Sequence, residues 1–182
     1  MSVRGGDGND NLQGSGGRDR LYGDDQDDVL NGGNGKDALK GGRGADMLNG
    51  GDGNDTLKGG GGADVLRGNA GRDKLRGNAG DDTIFASDAA NVLDGGDGNN
   101  TFVFETAANA QGDHINGLSA GDLLQFGTGS DMLELTWGDA DMQDSFSFSE
   151  GDEAGTTKIS GSIEDEQFEL TVSGRFDYDN LA

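Results

Sequence analysis

The chain has no cysteine, no proline and a single histidine among its 182 residues. Without cysteine it can form no disulfide bond and no thiolate metal site. One histidine cannot supply the HExxH pair of a zinc protease. Apolar residues make up 31% and aromatic residues 6%, whereas globular domains are usually nearly half apolar. A large conventional core is therefore excluded, and folding must depend on periodicity or on a ligand.

A membrane-spanning segment and an N-terminal Sec signal peptide are also missing. No apolar stretch approaches the roughly 18 residues that a membrane-spanning helix needs. The first six residues, Met-Ser-Val-Arg-Gly-Gly, lack the apolar core of a Sec signal peptide. We therefore expect no membrane span and, if the chain is exported, another export route.

The charge is strongly negative and is unevenly distributed. The net charge is −22, which disfavours nucleic acid and anionic membranes and favours cations. All 18 acidic residues of segment 1–103 are Asp, and every Glu lies in segment 104–182. Solubility alone would be served equally well by Glu. The exclusive use of Asp therefore indicates a fixed carboxylate reach, as at a metal site or a tight turn.

A nine-residue repeat runs without a gap from Gly5 to Val103 and gives eleven units. Position one is Gly in every unit except the tenth, which has Ala86. Position six is acidic in the first nine units: Asp10, Asp19, Asp28, Asp37, Asp46, Asp55, Asp64, Asp73 and Asp82. Asn91 and Asn100 follow at this position. Position eight is apolar throughout: Leu12, Leu21, Leu30, Leu39, Leu48, Leu57, Leu66, Leu75, Ile84, Leu93 and Phe102.

Each position of the repeat has a mechanical role. Glycines at positions one, two and four permit positive φ and close backbone packing, so the first six residues predict a tight turn. The last three residues alternate polar, apolar, polar, which predicts a short strand with one inward side chain. Two units then form an 18-residue coil. The sequence predicts an all-β fold, a parallel β-roll over 5–103, whose stacked coils bury two ladders of leucine.

The pattern GGxGxDxUx resembles the RTX, or haemolysin-type, calcium-binding repeat family. The resemblance implies that Ca²⁺ lies between equivalent turns of successive coils, 18 residues apart. Its ligands would be the carboxylates at position six and the backbone carbonyls at positions two and four. We expect about five to eight ions. The implied carbonyl ligands are Gly33, Gly35, Gly42, Gly44, Gly51, Gly53, Gly60, Gly62, Gly71 and Gly80.

Three departures from the pattern change what we expect locally. Asp24 and Gln26 replace glycine in the third unit, so sites that use Asp28 should be weaker. Unit ten lacks the glycines, and Asn91 and Asn100 offer only a neutral oxygen, so calcium should thin out there. The alternative interpretation of the whole array is that its aspartates only cap turns in a metal-free solenoid.

Segment 104–182 contains the conventional core. Alternating apolar residues at 102–104, 123–126, 133–137, 146–148 and 168–172 predict short antiparallel strands that cap the roll. From Thr156 onward the chain resembles the C-terminal region of serralysin-type exoproteins. This resemblance implies an uncleaved type I secretion signal within 104–182 and hence an extracellular location.

The function that we expect is a secreted calcium-binding module that folds outside the cell. Type I secretion machinery would be its partner. Because only four residues precede the first repeat, we also expect a further domain upstream; a stand-alone calcium binder is the alternative. A second alternative is binding of an acidic polysaccharide, as in the RTX modules of alginate epimerases, by the basic face of Arg20, Lys40, Lys58, Lys74 and Arg76.

No catalytic activity is expected. Gly117-Leu-Ser119-Ala-Gly121 matches the GxSxG motif of hydrolases, which needs a strand–turn–helix context and a histidine after the serine. The single histidine, His114, lies before Ser119, and the sequence predicts no helix after it. A turn between strands explains the motif better.

Overall fold

A computed structural model describes residues 1–87, 89–127, 133–136, 147–150, 156–163 and 166–173. Twelve strands account for the repeats, and most run from position seven of one unit to position three of the next. Their bounds are β1 (Ser2–Asp7), β2 (Asn11–Gln13), β3 (Arg20–Asp25), β4 (Val29–Asn34), β5 (Ala38–Arg43), β6 (Met47–Asp52), β7 (Thr56–Gly61), β8 (Val65–Ala70), β9 (Lys74–Ala79), β10 (Thr83–Phe85), β11 (Val92–Asp97) and β12 (Thr101–Phe104).

Seven further elements follow the repeats. They are α1 (Ala107–Ala110), β13 (His114–Asn116), β14 (Leu123–Phe126), β15 (Leu133–Thr136), β16 (Ser147–Glu150), β17 (Thr156–Ile163) and β18 (Glu166–Ser173). Among the described residues, α1 is a single turn, and no helix is long and apolar enough to cross a membrane.

Odd- and even-numbered strands of the roll form two separate parallel sheets. One sheet has the order β1-β3-β5-β7-β9-β11-β13-β18-β17-β16, and the other has β15-β14-β12-β10-β8-β6-β4-β2. Within the repeats the register is 18 residues, so Leu39 lies opposite Leu57 and Leu57 opposite Leu75. The predicted parallel β-roll of 18-residue coils is confirmed.

The core lies between the two sheets and consists of the position-eight side chains. All eleven are at most 9% exposed, and most are fully buried. Side chains of position seven point outward, as Val29 and Met47 show with 42% and 49% exposure, whereas Val103 at position nine of the last unit is only 7% exposed. Each coil therefore adds one apolar side chain per sheet to the core, which a chain with so few apolar residues can supply.

The parallel ladders continue beyond Val103. β13 pairs in parallel with β11, and β14 pairs in parallel with β12. The expectation of an antiparallel strand at 102–104 was therefore wrong, and the strand at 123–126 is parallel to β12 on one side and antiparallel to β15 on the other. The cause is an insertion: Ile115 lies opposite Leu93 at a separation of 22 residues, because four extra residues, which include α1, lengthen one unit. Whether a domain boundary falls at 103/104 stays a prediction.

Antiparallel strands close the end of the roll, as predicted. β15 pairs with β14, and β16, β17 and β18 form an antiparallel meander in which β18 also pairs with β13. Phe104 and Phe126 stack beneath this end with ring centroids 5.1 Å apart. Trp137, Phe146 and the predicted end of the secretion signal, 174–182, lie outside the described residues.

Glycine at positions two and four allows the coils to stack directly on one another. Gly60 and Gly62 have φ of 138° and 125°, a region that side chains with a Cβ rarely adopt. A Cβ at Gly62 would overlap the carbonyl oxygen of Gly44, its counterpart in the preceding coil. The position-three neighbour Gly61 has neither constraint, since a Cβ there would meet open space.

We predict that Gly62→Ala disrupts the roll, because the methyl group meets backbone and because φ is positive. The matched substitution Gly61→Ala should change stability by less than about 1 kcal/mol. Denaturant unfolding at saturating calcium would measure both. Equal stabilities of the two variants would contradict the close stacking of coils.

Candidate metal centre

The position-six side chains form two continuous rows along the roll, one for each set of turns. In each row, Oδ1 of one residue accepts a hydrogen bond from the backbone N–H of the residue 18 positions earlier. The Asp37 amide donates to Asp55 at 2.7 Å, and the Asp55 amide donates to Asp73 at 2.8 Å. The same bond joins Asp46 to Asp64 and Asp64 to Asp82, at 2.8 Å each. One carboxylate oxygen per residue is thus committed to holding successive coils together.

The other carboxylate oxygen has no hydrogen-bond partner. It is buried in nine residues: Asp10, Asp28, Asp37, Asp46, Asp55, Asp64, Asp73, Asp82 and Asp113. It faces the inside of its own turn, because a Cβ placed on Gly41 would overlap Oδ2 of Asp46. A buried carboxylate oxygen without a donor is costly and indicates a missing proton or cation.

The pKa values of several of these carboxyl groups reflect the free-energy cost of burying their charged form. Burial, with a smaller contribution from the neighbouring carboxylates of the row, raises the pKa of Asp64 and Asp73 to about 7. Burial likewise raises the pKa of Asp82 to about 6. Asp19 shows the opposite behaviour, because the Met1 ammonium group and the Ser15 amide donate to it and lower its pKa. A positive charge or a donor at this position therefore stabilises the ionised form.

The hydrogen bonds of the Asn91 side chain show which groups line the inside of its turn. Its Oδ1 receives the Asp73 amide at 2.9 Å, so it takes part in the row just as an aspartate does. Its Nδ2 donates inward to the carbonyl oxygens of Ala89 at 2.6 Å and Ser87 at 3.3 Å, which are positions four and two of its own unit. In this turn, positions two and four thus direct carbonyl oxygens toward the place that Oδ2 occupies in an aspartate.

In the turns whose position two is glycine, an aspartate at this place would meet only oxygen acceptors: its own carboxylate and two backbone carbonyls. This donor set fits Ca²⁺, which takes six to eight oxygen ligands, and does not fit zinc or copper, which prefer nitrogen or sulfur. Among the described residues, no three acidic, histidine or cysteine side chains cluster in a way that could hold a metal. Most ligands would therefore be backbone carbonyls, and two adjacent turns would have to share an ion.

The predicted carbonyl ligands lie in the same turns as the position-six aspartates, and their coordination of an ion stays a prediction. The predicted carbonyl residues from Gly33 to Gly80 all have positive φ, and Asp24 and Gln26 adopt it too, at 87° and 77°. The third unit thus has the common turn, and Asp28 has the same orphaned oxygen. Asp19 differs, since the Ser15 amide and hydroxyl donate to its Oδ2 at 2.8 and 3.2 Å.

Two members of the rows were not predicted from the sequence. The Asn91 amide donates to Asp113 at 2.6 Å, and the Asn100 amide donates to Asp122 at 2.7 Å. Both carboxylates are fully buried. They escaped the repeat search because the insertion moves them 22 residues from their predecessors. The signal was present nonetheless: Gly117–Gln125 reads GLSAGDLLQ, a nine-residue unit with Asp122 at position six and Leu124 at position eight.

This unit also explains the GxSxG motif. Ser119 donates to Asp122 Oδ2 from its amide at 2.8 Å and from its hydroxyl at 3.1 Å. The serine therefore caps a turn, as the sequence indicated. Ser119 therefore has a structural role, because it donates to the row member Asp122.

The profile of the RTX calcium-binding nonapeptide repeat matches the chain in four copies, at residues 4–39, 31–66, 40–75 and 67–102. The matches together span more than half of the chain. The chain belongs to the RTX calcium-binding nonapeptide repeat family. Repeats of this family bind calcium, which agrees with the all-oxygen turns described above.

Solved structures similar to this RTX chain include two bacterial proteins. One is the AlgE6R3 subunit of the Azotobacter vinelandii mannuronan C5-epimerase, with 22% identity, a TM-score of 0.39, and coverage of 83% of this chain and 72% of that one. The other is the extracellular lipase LipA of Serratia marcescens, with 18% identity and a TM-score of 0.31. That match covers all of this chain and 41% of the lipase. No curated protein matches the sequence.

We predict that acid partly replaces calcium in folding the RTX roll. The folded pKa values of Asp64, Asp73 and Asp82, about 6 to 7, lie above the unfolded value near 3.9. The folded chain therefore binds more protons, and its stability rises as pH falls from about 8 to 4. Circular dichroism in chelator should show β-structure increasing over this range.

A matched pair of variants separates this effect from the general loss of charge. Asp64→Asn with Asp73→Asn should raise the β-signal of the metal-free chain at pH 8. Asp52→Asn with Asp97→Asn removes as many charges from exposed position-three sites and should leave that signal nearly unchanged. Equal behaviour of the two variants would show that net charge, and not the buried rows, controls folding.

Proposed function

We propose that the RTX repeats of this chain form a folding switch: the roll closes when calcium enters the turns and opens when calcium is removed. The row of orphaned carboxylate oxygens carries this proposal. Neighbouring coils lie about 4.8 Å apart, and two carboxylates at that distance repel by roughly 3.5 kcal/mol at an effective dielectric of 20. A divalent cation between each pair converts the repulsion into attraction.

The ligands of each ion would come from two turns of the same row. Position six of one turn supplies Oδ2, and positions two and four supply carbonyl oxygens. The best sites lie where consecutive turns both have an unpartnered oxygen, as from Asp28 through Asp46 and Asp64 to Asp82 and from Asp37 through Asp55 to Asp73. We propose about five to eight ions for the whole array.

A switch of this kind suits a chain that is exported unfolded and folds outside the cell. Extracellular calcium modules have dissociation constants of about 10⁻⁴–10⁻³ M. A site with free calcium at 100 times that constant adds about 2.7 kcal/mol to folding, and several coupled sites give a steep response. We therefore propose an extracellular location and export through type I machinery, with the signal within 104–182. The roll would serve to stabilise an exported protein.

Titration with calcium tests the switch directly. Far-UV circular dichroism should show little β-structure in chelator and a cooperative gain with calcium. Magnesium should substitute poorly, because it requires a smaller octahedral site and retains its waters. Asp55→Asn should lower the number of calcium ions bound per chain, as measured by calorimetry, because it removes one carboxylate ligand. Its control, Asp52→Asn, changes an exposed aspartate three residues away. Identical calcium binding by the two variants would refute the proposed ligands.

Export is tested separately, in a host with a type I transporter. Deletion of residues 104–182 should keep the chain inside the cell. Deletion of residues 41–58 removes one whole coil in register and leaves the C-terminal segment intact, so that chain should still reach the medium. Secretion of the chain that lacks 104–182 would place the signal elsewhere and leave the calcium switch unaffected.

Binding of an acidic polysaccharide is a second candidate, favoured by one face of the roll. Lys40 and Lys58 are opposite each other on β5 and β7, with Lys74 beside them on β9, and all three are exposed. None of them forms an ion pair in the described part of the chain, whereas Arg76 pairs with Asp94 at 2.8 Å. A short row of free cations on a chain of net charge −22 would attract a polyanion locally.

A further inference from the structure

Two turns of the roll differ from the others in the group at position six. Asn91 and Asn100 stand there, each in one of the two rows. The amides of Asp73 and Asp82 donate to their Oδ1 atoms at 2.9 and 3.1 Å. Because the oxygen must accept these backbone hydrogens, the orientation of each side chain is determined, and the NH₂ group faces the inside of the turn.

The NH₂ group meets the carbonyl oxygens that would otherwise face a cation. Asn91 Nδ2 donates to Ala89 and Ser87, and also to the Ser87 hydroxyl at 3.1 Å. Asn100 Nδ2 donates to Gly96, position two of its unit, at 3.4 Å. Both asparagines are at most 1% exposed. Neither leaves a buried side-chain atom without a partner, in contrast to the aspartates of the preceding turns.

We propose that the side-chain amides of Asn91 and Asn100 occupy the place of calcium, so that these two turns close without metal. The inference rests on the proposed function, in that it takes the aspartate turns to hold calcium. An amide is a donor attached to the chain. It satisfies the carbonyls at every calcium concentration, whereas an aspartate turn is satisfied only when an ion arrives.

The effect of having asparagine at these two positions depends on where the two turns lie along the roll. They lie between the aspartate turns that end at Asp73 and Asp82 and the C-terminal strands that begin at β13. β11 and β12, which flank them, carry the buried Leu93 and Phe102. The coil formed by β11 and β12 would therefore keep its closed turns in chelator and present a formed edge to the calcium-dependent coils that precede it.

Replacing an asparagine at position six with aspartate tests the proposal in the full chain. Asn100→Asp recreates the sequence GGDGNDTFV, in which Gly96 and Gly98 already have positive φ of 94° and 116°. Calcium bound per chain, measured by calorimetry and native mass spectrometry, should rise by one ion. Asn34→Asp adds the same charge at an exposed position three and should bind no additional ion. Asn91→Asp, combined with Ser87→Gly, is the second variant, in the other row, because Ser87 would otherwise donate to the new carboxylate as Ser15 donates to Asp19.

The outcomes are distinct. A wild-type chain that binds no calcium would overturn the proposed function as well as this inference. If wild type binds calcium while Asn100→Asp and the second variant bind no more than Asn34→Asp, only this inference is overturned. Hydrogen exchange of the wild type in chelator gives an independent readout: residues 92–103 should stay protected while residues 29–70 exchange. Equal exchange of both segments would also overturn it.

Discussion

One unsatisfied atom, the Oδ2 oxygen of the position-six aspartate, sets the behaviour of the roll. Its partner Oδ1 is fixed by a backbone amide of the neighbouring coil, so the carboxylate cannot turn toward water. Burial raises the pKa of Asp55 and Asp64, because the loss of solvent penalises the charged form more than the single amide donor at Oδ1 favours it. A fold that places a carboxylate in this way can be stable only with a proton or a cation in the turn.

The same constraint explains the composition of the repeat. The turn must bring backbone carbonyls close to a short side chain, and coils must approach until carbonyls of one contact Cα atoms of the next. Glycine at positions two and four permits this approach, and Asn69 and Asn78, at φ of 66° and 84°, show that asparagine tolerates it. With one leucine per strand, the apolar core alone is small. Side chains that would enlarge it have no room in the turns.

Much of the fold followed from the sequence, because each unit repeats the same local geometry. The nine-residue period fixed the position of Leu57 in the core and of Asp55 in its row before any coordinates. The four-residue insertion at α1 broke the period, and so the sequence analysis lost Asp113, Asp122 and the parallel pairing of β13 and β14. Hydrogen-bond partners were beyond prediction for a further reason. The period alone cannot tell that Ser15 donates to Oδ2 of Asp19 while Oδ2 of Asp37 has no donor.

The side chain at position six can be satisfied in three ways: by a serine donor, by its own amide group when it is asparagine, or by an external cation in the other turns. A serine donates to Asp19 near the start and to Asp122 near the end. An amide nitrogen satisfies the turns of Asn91 and Asn100. Between these lie the turns from Asp28 to Asp82, which offer only acceptors. The donors are therefore not confined to one end of the roll, since Asp10 in the first unit and Asp113 beyond Asn91 also keep an unpartnered Oδ2. In the proposed switch, the longest uninterrupted run of turns that need an external cation is the run from Asp28 to Asp82, and the turns that contain their own donors interrupt or border it.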